Sequence, residues 1–353
     1  QELKKFEKYK EDETKKLIKE RKQIISEQRQ LNELKNKYQS NTTVNKKDKD
    51  EIEMLKTTRE HTTKLPGVKL SDQTIFTTDL QAVIEGKDLV VVAVPSPYVR
   101  STAKNMAPFV TEGQLLVDVA KGIEEDSLLT MTAVIKEEIP QANVAILSGP
   151  SHAEEVGRKK ATTIVAGAKR KQDAEFIQNV FMNGYFRVYT SPDLLGIGIG
   201  GSLKNVIALA AGMADGMECG DNTKAALITR GIKEISTLGL RMGAYQETVE
   251  GLSGLGDLIV TCASVHSRNR KAGMLIGQGY TMEEAMDEVQ MIVEGVYSAK
   301  AAKKLAERYD VSLPIVDEVN NVLFGGKKAK DALMDLMQRD KKSEHTHLLW
   351  MED

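Results

Sequence analysis

The sequence contains little cysteine, few aromatic residues and no long apolar run. Cys219 and Cys262 are the only cysteines among its 353 residues, which excludes a disulfide framework and a cysteine-based zinc site and indicates a reducing compartment. No uninterrupted apolar run approaches the roughly 18 residues that a membrane span needs, and no secretory signal is evident at the amino end. A formal net charge of -2 gives no general attraction to nucleic acid. We therefore expect a soluble cytoplasmic protein without a membrane span or a nucleic-acid partner.

The first 50 residues lack glycine and proline, although the whole chain has 27 glycines and 8 prolines. Half of these residues are charged: 15 are basic and 10 acidic, a net charge of +5, which leaves 34 basic and 41 acidic residues, a net charge of -7, for the rest. Apolar residues recur on a seven-residue register at Leu3, Leu17, Ile24, Leu31 and Tyr38. The pattern predicts a long charged helix with an imperfect coiled-coil stripe. A solvated, partly disordered charged helix explains it equally well.

Three continuous apolar runs predict strands that are buried on both faces of a parallel sheet. They are DLVVVAV at 88–94, QLLVDVA at 114–120 and NVAIL at 143–147. Two shorter strands and two amphipathic helices complete the alternation: Thr162–Ala166, Phe186–Tyr189, Ser127–Glu138 and Lys171–Met182. Beyond Pro192 only helical spacing is present.

We therefore expect an α/β protein with a doubly wound, parallel, Rossmann-like sheet, an all-helical carboxyl-terminal domain and a charged helix in front. The predicted boundaries are residues 1–50 for the charged arm, 51–190 for the sheet domain, 191–340 for the helical domain and 341–353 for a polar tail. Two domains of this size are ordinary for a chain of this length.

Polar residues follow the three apolar runs, and ligands of such sheets bind outside the carboxyl ends of the strands. This rule selects Ser96–Tyr98 after the first run, Lys121 and Gly122 after the second, and Gly149–Ser151 after the third. Ser151 is also expected to cap a short helix and so present backbone N–H groups to an anion. Turn chemistry alone explains the glycine and proline of the third group, whereas a cation such as Lys121 at a strand end indicates a functional group.

The helical half adds a second lysine, a carboxylate and a candidate anion clamp. Lys204 is expected to open a long apolar helix, where desolvation lowers its pKa and suits it to proton donation; a lysine that merely covers apolar surface is the alternative. Asp257 follows a glycine-rich turn. Ser267, Arg268 and Asn269 place a hydroxyl, a guanidinium and an amide in consecutive positions, which suits a phosphate, although a basic helix start has the same composition.

Other suggestive residues are interpreted as structural. The one G-x-G-x-x-G match, at Gly196, Gly198 and Gly201, lacks a preceding strand and is expected to serve helix packing instead of nucleotide binding. Cys262 has no histidine base nearby in sequence and is expected to be a packed thiol. No metal site is predicted, because the ligand-like residues of the tail are expected to be solvated: Glu344, His345 and His347.

Ten strings occur in the order found in one enzyme family. They are TTRE at 57–60, LPG at 65–67, VVVAVPS at 90–96, AKGIE at 120–124, LSGPSHAEEV at 147–156, GGSLKNVIALAAGMADG at 200–216, DNTKAALITRG at 221–231, GLGDLIVTC at 254–262, SRNR at 267–270 and VEG at 293–295. Over about residues 51–339 the chain resembles the bacterial type of NAD(P)-dependent glycerol-3-phosphate dehydrogenase. His152 stands where that family usually has Phe, and Gly198 where Glu is common.

The resemblance implies reversible hydride transfer between a nicotinamide cofactor, NAD or NADP, and dihydroxyacetone phosphate, giving sn-glycerol 3-phosphate. Lys204 matches the family's proton-transfer lysine, and Lys121 and Asp257 match residues that bind and orient the substrate. The other substrate-binding matches are Gly149, Ser151, Ser267, Arg268 and Asn269. The cofactor-binding matches are Tyr98, Ala153, Arg268, Ile292 and Glu294. The resemblance also implies a homodimer.

One departure concerns the cofactor. The family begins with a strand, a glycine-rich turn and a helix that hold the cofactor's pyrophosphate, and residues 1–50 replace that unit by a charged segment without glycine. We therefore expect impaired activity, as in a fragment or mis-joined reading of a dehydrogenase. Two alternatives stay open: a coiled-coil-tethered scaffold that binds a phosphate metabolite without catalysis, and a partner chain that supplies the missing unit. The preference for NADH or NADPH is open too, because the selecting residue belongs to the replaced unit.

Overall fold

The computed structural model describes residues 46–341, 343 and 344, with side chains from residue 49 onward. Most of the predicted charged arm, residues 1–45, and the tail residues His345 and His347 lie outside this part of the chain. The protein divides into two compact units, Gln1–Thr78 and Asp79–Asp353. The predicted sheet and the predicted helical domain both fall largely within the second unit.

The described part of the first unit is a helix followed by a turn-rich segment. Helix α1 (Lys46–Thr58) crosses the predicted boundary at residue 50. Its Glu51 accepts a hydrogen bond from Nε2 of His61 at 2.5 Å. Arg59, whose backbone is left-handed with φ 54°, donates to the carbonyl of Thr74 at 2.9 Å. These contacts fold the segment after α1 back on itself.

The second unit contains a five-stranded sheet in the order β1-β2-β3-β4-β5. All five predicted strands are present. They are β1 (Leu89–Val92), β2 (Leu115–Asp118), β3 (Asn143–Ser148), β4 (Thr162–Ala168) and β5 (Phe186–Ser191). The helices of this layer are α2 (Leu80–Ile84), α3 (Val99–Met106), α4 (Met131–Glu138), α5 (Ala153–Gly157) and α6 (Lys171–Phe181). The Rossmann-like α/β class is therefore confirmed.

The two faces of the sheet are buried in different apolar clusters. Leu116 of β2 shares a cluster with Ile135 of α4, whereas its neighbour Val117 shares one with Ile177 of α6. Successive residues of a strand point to opposite faces, and both of these leucine and valine side chains are fully buried. The interior strand β2 is thus covered on both sides, as predicted, whereas β1 is not buried on both faces, since Val91 is 41% exposed.

The sheet is not wholly parallel, which corrects the prediction. β1, β2 and β3 run parallel, as do β4 and β5, but β4 lies antiparallel to β3, with Ala145 opposite Ala168 and Ser148 opposite Val165. The connection between β3 and β4 carries only the five-residue helix α5. At about 7–8 Å, such a helix is too short to return the chain along the face of the sheet for a parallel crossover.

The regular structure after β5 is helical throughout the described residues. The elements are α7 (Leu194–Gly216), α8 (Asp221–Met242), α9 (Gln246–Val249), a π-helical turn (Leu252–Gly256), α10 (Asp257–Ala263), α11 (Arg268–Gly277), α12 (Met282–Val289), α13 (Glu294–Arg308), α14 (Pro314–Phe324) and α15 (Ala329–Met337). The expected all-helical layer is thus present, and α10 and α11 are helices for which the sequence patterns had given no bounds.

Helix α7 is the central helix of this layer and begins well before the expected start at Leu203. Asp193 caps it by accepting a hydrogen bond from the N–H of Gly196 at 2.8 Å. Lys204 therefore lies in the interior of α7 and not at its start. By length and composition α7 is apolar enough to cross a membrane, contrary to the estimate from uninterrupted runs, but 78% of its most apolar window is buried inside the protein. It is thus a core helix.

Helices α7 and α11 approach each other closely along a line of glycines. A Cβ at Gly273 of α11 would overlap the carbonyl oxygen of Leu209 and lie 3.0 Å from Cα of Gly212 on α7. One turn further along α11, a Cβ at Gly277 would overlap a carbonyl oxygen of α7 in the same way. Because α11 begins at Arg268, this contact fixes the position of the predicted anion clamp relative to α7.

The variant Gly273→Ala is expected to lower the free energy of unfolding by about 1–3 kcal/mol, because the added methyl group overlaps backbone atoms. Gly184→Ala is the matched control: no atom lies within 4 Å of its Cβ, and its effect is expected to stay within about 0.5 kcal/mol. Urea denaturation of both variants measures the difference. Equal stabilities would show that α7 and α11 are not packed as described.

Asp118, the last residue of β2, is a fully buried carboxyl group. Its Oδ1 accepts a hydrogen bond from the N–H of Ala120 at 2.9 Å, whereas its Oδ2 has no partner among the described residues. Burial raises its pKa from 3.8 to about 7, and the hydrogen bond from Ala120 opposes this shift only in part. The folded protein therefore holds a proton here that the unfolded chain releases at much lower pH.

The variant Asp118→Asn is expected to be more stable than the wild type at pH 8. Protonation of the carboxyl group stabilises the wild-type fold fully below about pH 4, and this contribution is lost as the pH rises through about 7. Asparagine keeps the acceptor for Ala120 and cannot ionise. Urea unfolding between pH 4 and pH 8 measures the effect, and a difference between the two proteins that stays constant over this range would contradict it.

Candidate active site

Three of the predicted site residues form one cluster beyond the carboxyl end of β2. Asp257, the first residue of α10, accepts a hydrogen bond from Nζ of Lys204 at 2.6 Å on Oδ1 and from Nζ of Lys121 at 2.6 Å on Oδ2. Asp257 and Lys204 are only 1% and 4% exposed, and Lys121 is partly buried. Two cations against one carboxylate leave net positive charge, which favours an anion or a developing negative charge beside them.

Each ammonium group keeps one N–H for a ligand. Lys204 also donates to Oγ1 of Thr261 at 2.6 Å, and Lys121 donates to the carbonyl of Gly149 at 2.9 Å. A lysine has three donors, so these contacts among the described residues use two on each. Thr261 donates its own hydroxyl proton to the backbone carbonyl of Asp257 at 2.6 Å, which leaves its lone pairs for Lys204. Because both lysines bind one carboxylate, their remaining N–H groups are available to one small ligand.

The surroundings lower the pKa of Lys204 and the pKa of Asp257. Burial lowers the pKa of Lys204 from 10.5 to about 8, with Asp257 opposing the shift and Lys121 adding to it. Burial by itself raises the pKa of Asp257, but the charges of Lys121 and Lys204 outweigh it and hold that pKa below its ordinary value. Lys204 can therefore exchange a proton close to neutral pH while Asp257 stays ionised.

Two glycines allow the backbone to form this cluster. Gly149 has φ +150°, and a Cβ there would lie 2.9 Å from Cα of Ile164 on β4, so only glycine lets its carbonyl sit against the sheet and meet the lysine. In the π-helical turn, a Cβ at Gly254 would overlap the carbonyl oxygen of Val249. This tight turn leads directly into α10, whose first residue is the carboxylate of the cluster.

The loop after β3 differs from the prediction in one respect. The cap of α5 is His152 and not Ser151, whose Oγ instead donates to the carbonyl of Gly149 at 3.1 Å. The prediction that Ser151 caps this helix is thus wrong, because its hydroxyl binds the carbonyl of Gly149 instead of an N–H of the helix. Ser151 and Gly149 nevertheless lie beside Lys121, as expected of substrate-binding residues.

The predicted anion clamp uses two of its side chains within the protein. Ser267 caps α11, with its Oγ accepting a hydrogen bond from the N–H of Arg270 at 3.2 Å. Asn269 is buried: its Nδ2 donates to Oδ1 of Asn205 at 2.9 Å, and its Oδ1 accepts from the N–H of Gly295 at 2.8 Å. These contacts hold the start of α11 against α7 and α13. A role of the Ser267 and Asn269 side chains in binding phosphate therefore stays a prediction.

Arg268 is the member of the clamp that is exposed. One of its guanidinium nitrogens, Nη1, donates to the carbonyl of Ile292 at 3.1 Å, which holds the side chain at the start of α11. The first N–H groups of a helix have no acceptor within the helix, and a negative charge is favoured there. The N–H of Arg270 is bound to Ser267, so the guanidinium and the N–H groups of Arg268 and Asn269 are the donors that this region offers to an anion.

Comparison of the sequence with known proteins shows the family of this chain. The families described as NAD-dependent glycerol-3-phosphate dehydrogenase N-terminus and C-terminus match residues 29–174 and 193–334. A relative from Agathobacter rectalis, named glycerol-3-phosphate dehydrogenase (NAD(P)+), is 65% identical over 300 residues, which are 85% of this chain and 89% of the relative. A relative of the same name from Fusobacterium nucleatum is 56% identical over 306 residues, 86% of this chain and 91% of the relative. The chain belongs to the NAD-dependent glycerol-3-phosphate dehydrogenase family.

A solved structure supports the fold over the same length. The crystal structure of glycerol-3-phosphate dehydrogenase from Coxiella burnetii has a TM-score of 0.79 and 31% identity to this chain, and the match covers 82% of this chain and 89% of that one. As a member of the glycerol-3-phosphate dehydrogenase family, the protein is an oxidoreductase that uses NAD or NADP. The amino-terminal family match begins at residue 29, inside the segment predicted as a charged arm.

The residues that the resemblance matches to cofactor contacts lie after β1 and β3 and near the starts of α11 and α13. Ser96, in the turn after β1, donates its N–H at 3.2 Å and also its hydroxyl to the carboxylate of Glu294, the first residue of α13. A Cβ at Gly122 would overlap the side chain of Ser96. Burial raises the pKa of Glu294, although its hydrogen bonds from Ser96 oppose the shift. Both strand-end turns and the start of α13 thus form one packed surface.

The donor set on this surface fits one end of a dinucleotide. Tyr98 and Ala153 are exposed at the turns after β1 and β3, and Arg268 is exposed beside Ile292. Because Gly122 lets the turns after β1 and β2 approach each other, their backbone is accessible to a ligand at the strand ends. The ring of Tyr98 can stack on such a ligand, and the guanidinium of Arg268 can bind its phosphate. In the family the pyrophosphate turn comes from the amino-terminal segment, which lies outside the described residues.

Sequence reasoning missed three contacts of the site. Thr261 was not selected, although its spacing of four residues from Asp257 on a helix could have indicated a shared face. Asn205 was not selected as a site residue either, and its partner Asn269 is 64 residues away. The pairing of Ser96 with Glu294 spans 198 residues and had no local signal.

Two of the features interpreted as structural, the G-x-G-x-x-G glycines and Cys262, are packed inside the protein as expected. The G-x-G-x-x-G glycines lie inside α7: a Cβ at Gly198 would lie 3.2 Å from Cγ2 of Thr130, and one at Gly201 would lie 3.1 Å from Oγ of Ser148. Cys262 is fully buried, and burial raises its pKa to about 12. Its thiol is therefore protonated and packed at neutral pH.

Proposed function

We propose that this chain catalyses reversible hydride transfer between NADH or NADPH and dihydroxyacetone phosphate, with sn-glycerol 3-phosphate as the product. The observation that carries the proposal is the buried cluster in which Asp257 holds Lys204 and Lys121. The name shared by the relatives supports the choice of substrate and product. As a hydride reaches the ketone carbon, negative charge develops on the ketone oxygen, and two fixed ammonium groups are suited to stabilise it.

Lys204 is the proposed proton donor. With a pKa of about 8 it is largely protonated at pH 7 and still acidic enough to transfer a proton to a forming alkoxide. Lys121 would stabilise the same oxygen without giving up its proton, and Asp257 fixes the direction of both side chains. In the reverse reaction the neutral amine of Lys204 would accept the proton of the alcohol.

We place the phosphate of the substrate at the start of α11. The N–H groups of Arg268 and Asn269 and the guanidinium of Arg268 are the donors there. The glycine contact between α11 and α7 holds these donors at a fixed separation from Lys204. A substrate bound at both ends would therefore present its ketone oxygen to the lysines without a search, which lowers the entropic part of the barrier.

A bound nicotinamide cofactor supplies or accepts the hydride. We propose that the residues facing it are those after β1 and β3 and near the starts of α11 and α13: Tyr98, Ala153, Arg268, Ile292 and Glu294. Residues 1–50 contain no glycine, so the tight phosphate-binding turn that the family places there has no residue suited to it. We therefore propose that cofactor affinity, and with it activity at low cofactor concentration, is reduced relative to the relatives. The complete lysine–aspartate cluster favours an enzyme over a non-catalytic scaffold.

The test is oxidation of NADH and of NADPH by the purified chain with dihydroxyacetone phosphate, measured beside the Agathobacter rectalis relative. We expect turnover that saturates with the substrate and a cofactor KM higher than that of the relative. An equal cofactor KM would refute the weakened anchor. No turnover from a folded protein that still binds inorganic phosphate would favour the scaffold. The family resemblance further supports a cytoplasmic homodimer, which sedimentation of the active protein would test.

A further inference from the structure

His152 is a partly buried histidine, and one of its two ring nitrogens has no hydrogen-bond partner among the described residues. Its Nε2 is buried and makes no hydrogen bond within the described part of the chain. Its backbone carbonyl accepts from the N–H groups of Glu155 and Val156, both at 3.0 Å, so the backbone caps α5 while the ring is left without a structural task. A buried polar atom without a partner is costly, and a ligand atom can supply what the fold does not.

Charged and titratable groups from several elements surround this ring. They are Lys204 of α7, Lys121 after β2, Asp257 of α10, Glu154 of α5 and His266 before α11. Burial lowers the pKa of His152 most, Lys204 lowers it further, and Asp257 only partly opposes them, so the pKa lies below 6.5. The ring is therefore neutral in the free protein at neutral pH.

His152 lies between the two ends of the proposed substrate site. The residue before it, Ser151, donates to the same Gly149 carbonyl that binds Lys121, at the reacting end. On the other side, the ring of His266 lies 6.2 Å from that of His152, measured between centroids. His266 directly precedes Ser267, the cap of α11, where the phosphate is placed. A phosphate ester that reaches from the lysines to α11 would pass beside both imidazoles.

We propose that His152 binds the phosphate group of the substrate and takes up a proton from solvent when the dianion binds. This assignment rests on the function proposed above and adds a phosphate-binding residue to it. A bound dianion favours the imidazolium, which then donates a charge-assisted hydrogen bond. In the free protein the nearby lysines repel a third cation, so the proton arrives together with the ligand. Phosphate binding and protonation of His152 are thereby linked.

Inorganic phosphate is the probe, because its binding needs neither cofactor nor turnover. Calorimetric titration of the full chain near pH 7, in two buffers of different ionisation enthalpy, gives the number of protons taken up per phosphate bound. Free phosphate near pH 7 releases part of a proton when it binds as the dianion, so the informative quantity is the difference between proteins. We expect the wild type to take up close to one proton more per phosphate bound than a protein without His152. Relative to such a protein, the affinity of the wild type is expected to fall by up to about tenfold per pH unit as the pH rises, over the range in which His152 changes its protonation on binding. The ionisation of phosphate itself is common to all variants and cancels in the comparison.

Three variants separate the contributions. His152→Phe, which restores the residue usual in the family, is expected to lose the proton uptake and about ten- to a hundredfold in phosphate affinity. His152→Gln keeps a hydrogen-bond donor but cannot be protonated, so it is expected to lose the uptake and only part of the affinity. His266→Gln, on the neighbouring exposed ring, is expected to retain the uptake. Circular dichroism and thermal unfolding confirm that each variant is folded.

Unchanged proton uptake in folded His152→Phe would overturn the assignment, as would loss of the uptake in His266→Gln alone. Absence of phosphate binding by the wild type at millimolar concentrations would overturn it as well. Turnover of dihydroxyacetone phosphate, measured in parallel, tests the proposed function separately. A wild type that turns over substrate but takes up no more protons per phosphate than His152→Phe would refute the role of His152 and leave the dehydrogenase function standing.

Discussion

Lys204→Ala is expected to lower kcat for reduction of dihydroxyacetone phosphate by about a hundred- to ten-thousandfold, the contribution that a positioned general acid makes. The KM for the cofactor is expected to change little, because Lys204 binds Asp257 and Thr261 and no residue that matches a cofactor contact. Steady-state oxidation of NADH measures both constants. An unchanged kcat with a raised KM for dihydroxyacetone phosphate would show that Lys204 binds the substrate without transferring a proton.

Rescue and a matched control distinguish chemistry from folding. The alanine leaves a space that a small primary amine can enter, so added methylamine is expected to restore part of kcat in Lys204→Ala. The control is Ser202→Ala on the same helix, whose buried hydroxyl donates to the carbonyl of Gly198 and contacts no other side chain by a hydrogen bond. Its kcat is expected to stay within about twofold of the wild type. A comparable loss of activity in the control would point to damage to α7 instead.

The pH dependence of the wild type follows from the same lysine. Reduction of the ketone needs protonated Lys204, so kcat in that direction is expected to fall as the pH rises through about 8. Oxidation of the alcohol needs the neutral amine and is expected to rise over the same range. A rate profile without a transition near pH 8 in either direction would contradict the assignment.

Asp257→Asn is expected to lower the free energy of unfolding by about 3–5 kcal/mol at pH 7, because it leaves two buried or partly buried ammonium groups without their counter-ion. Activity is expected to fall as well. The pKa of Lys204 drops further without the carboxylate that now raises it, so the residual activity shifts to lower pH. Urea denaturation and the rate profile of the same preparation measure the two effects.

The two buried aspartates are expected to affect the free energy of unfolding in opposite directions when each is replaced by asparagine. The folded-state pKa of Asp257 is lowered, so its contribution is present above the unfolded pKa of about 4 and is lost as the pH falls through the folded value. The difference between wild type and Asp257→Asn is therefore expected to narrow in acid. Asp118→Asn is the matched buried control and is expected to change stability in the opposite direction at pH 8. Equal destabilisation by both variants would show that loss of charge pairing is not the cause.

Local pattern was sufficient for the elements and for the types of residue in the site. Three continuous apolar runs identified β1, β2 and β3, and two shorter segments identified β4 and β5, of which β5 has residues that alternate between buried and exposed positions. The positions of Lys121 and Asp257 followed from a strand end and from a glycine-rich turn, both of which can be recognised within a few residues. The reaction was inferred from the resemblance to the family, because the strings that carry it contain these residues in the same order.

What the sequence determined by itself was therefore the α/β and helical layers, the lysines and the carboxylate, and the family. The tertiary structure alone decided that β4 runs antiparallel, that Lys204 lies inside α7, and that Asn269 binds Asn205 while Arg268 stays exposed. It also decided that Asp257 serves two lysines at once, one of them 136 residues away. The physical reason is that direction, burial and hydrogen-bond partners are set by contacts between distant segments, and a local pattern of polar and apolar residues is the same whichever partner the fold supplies.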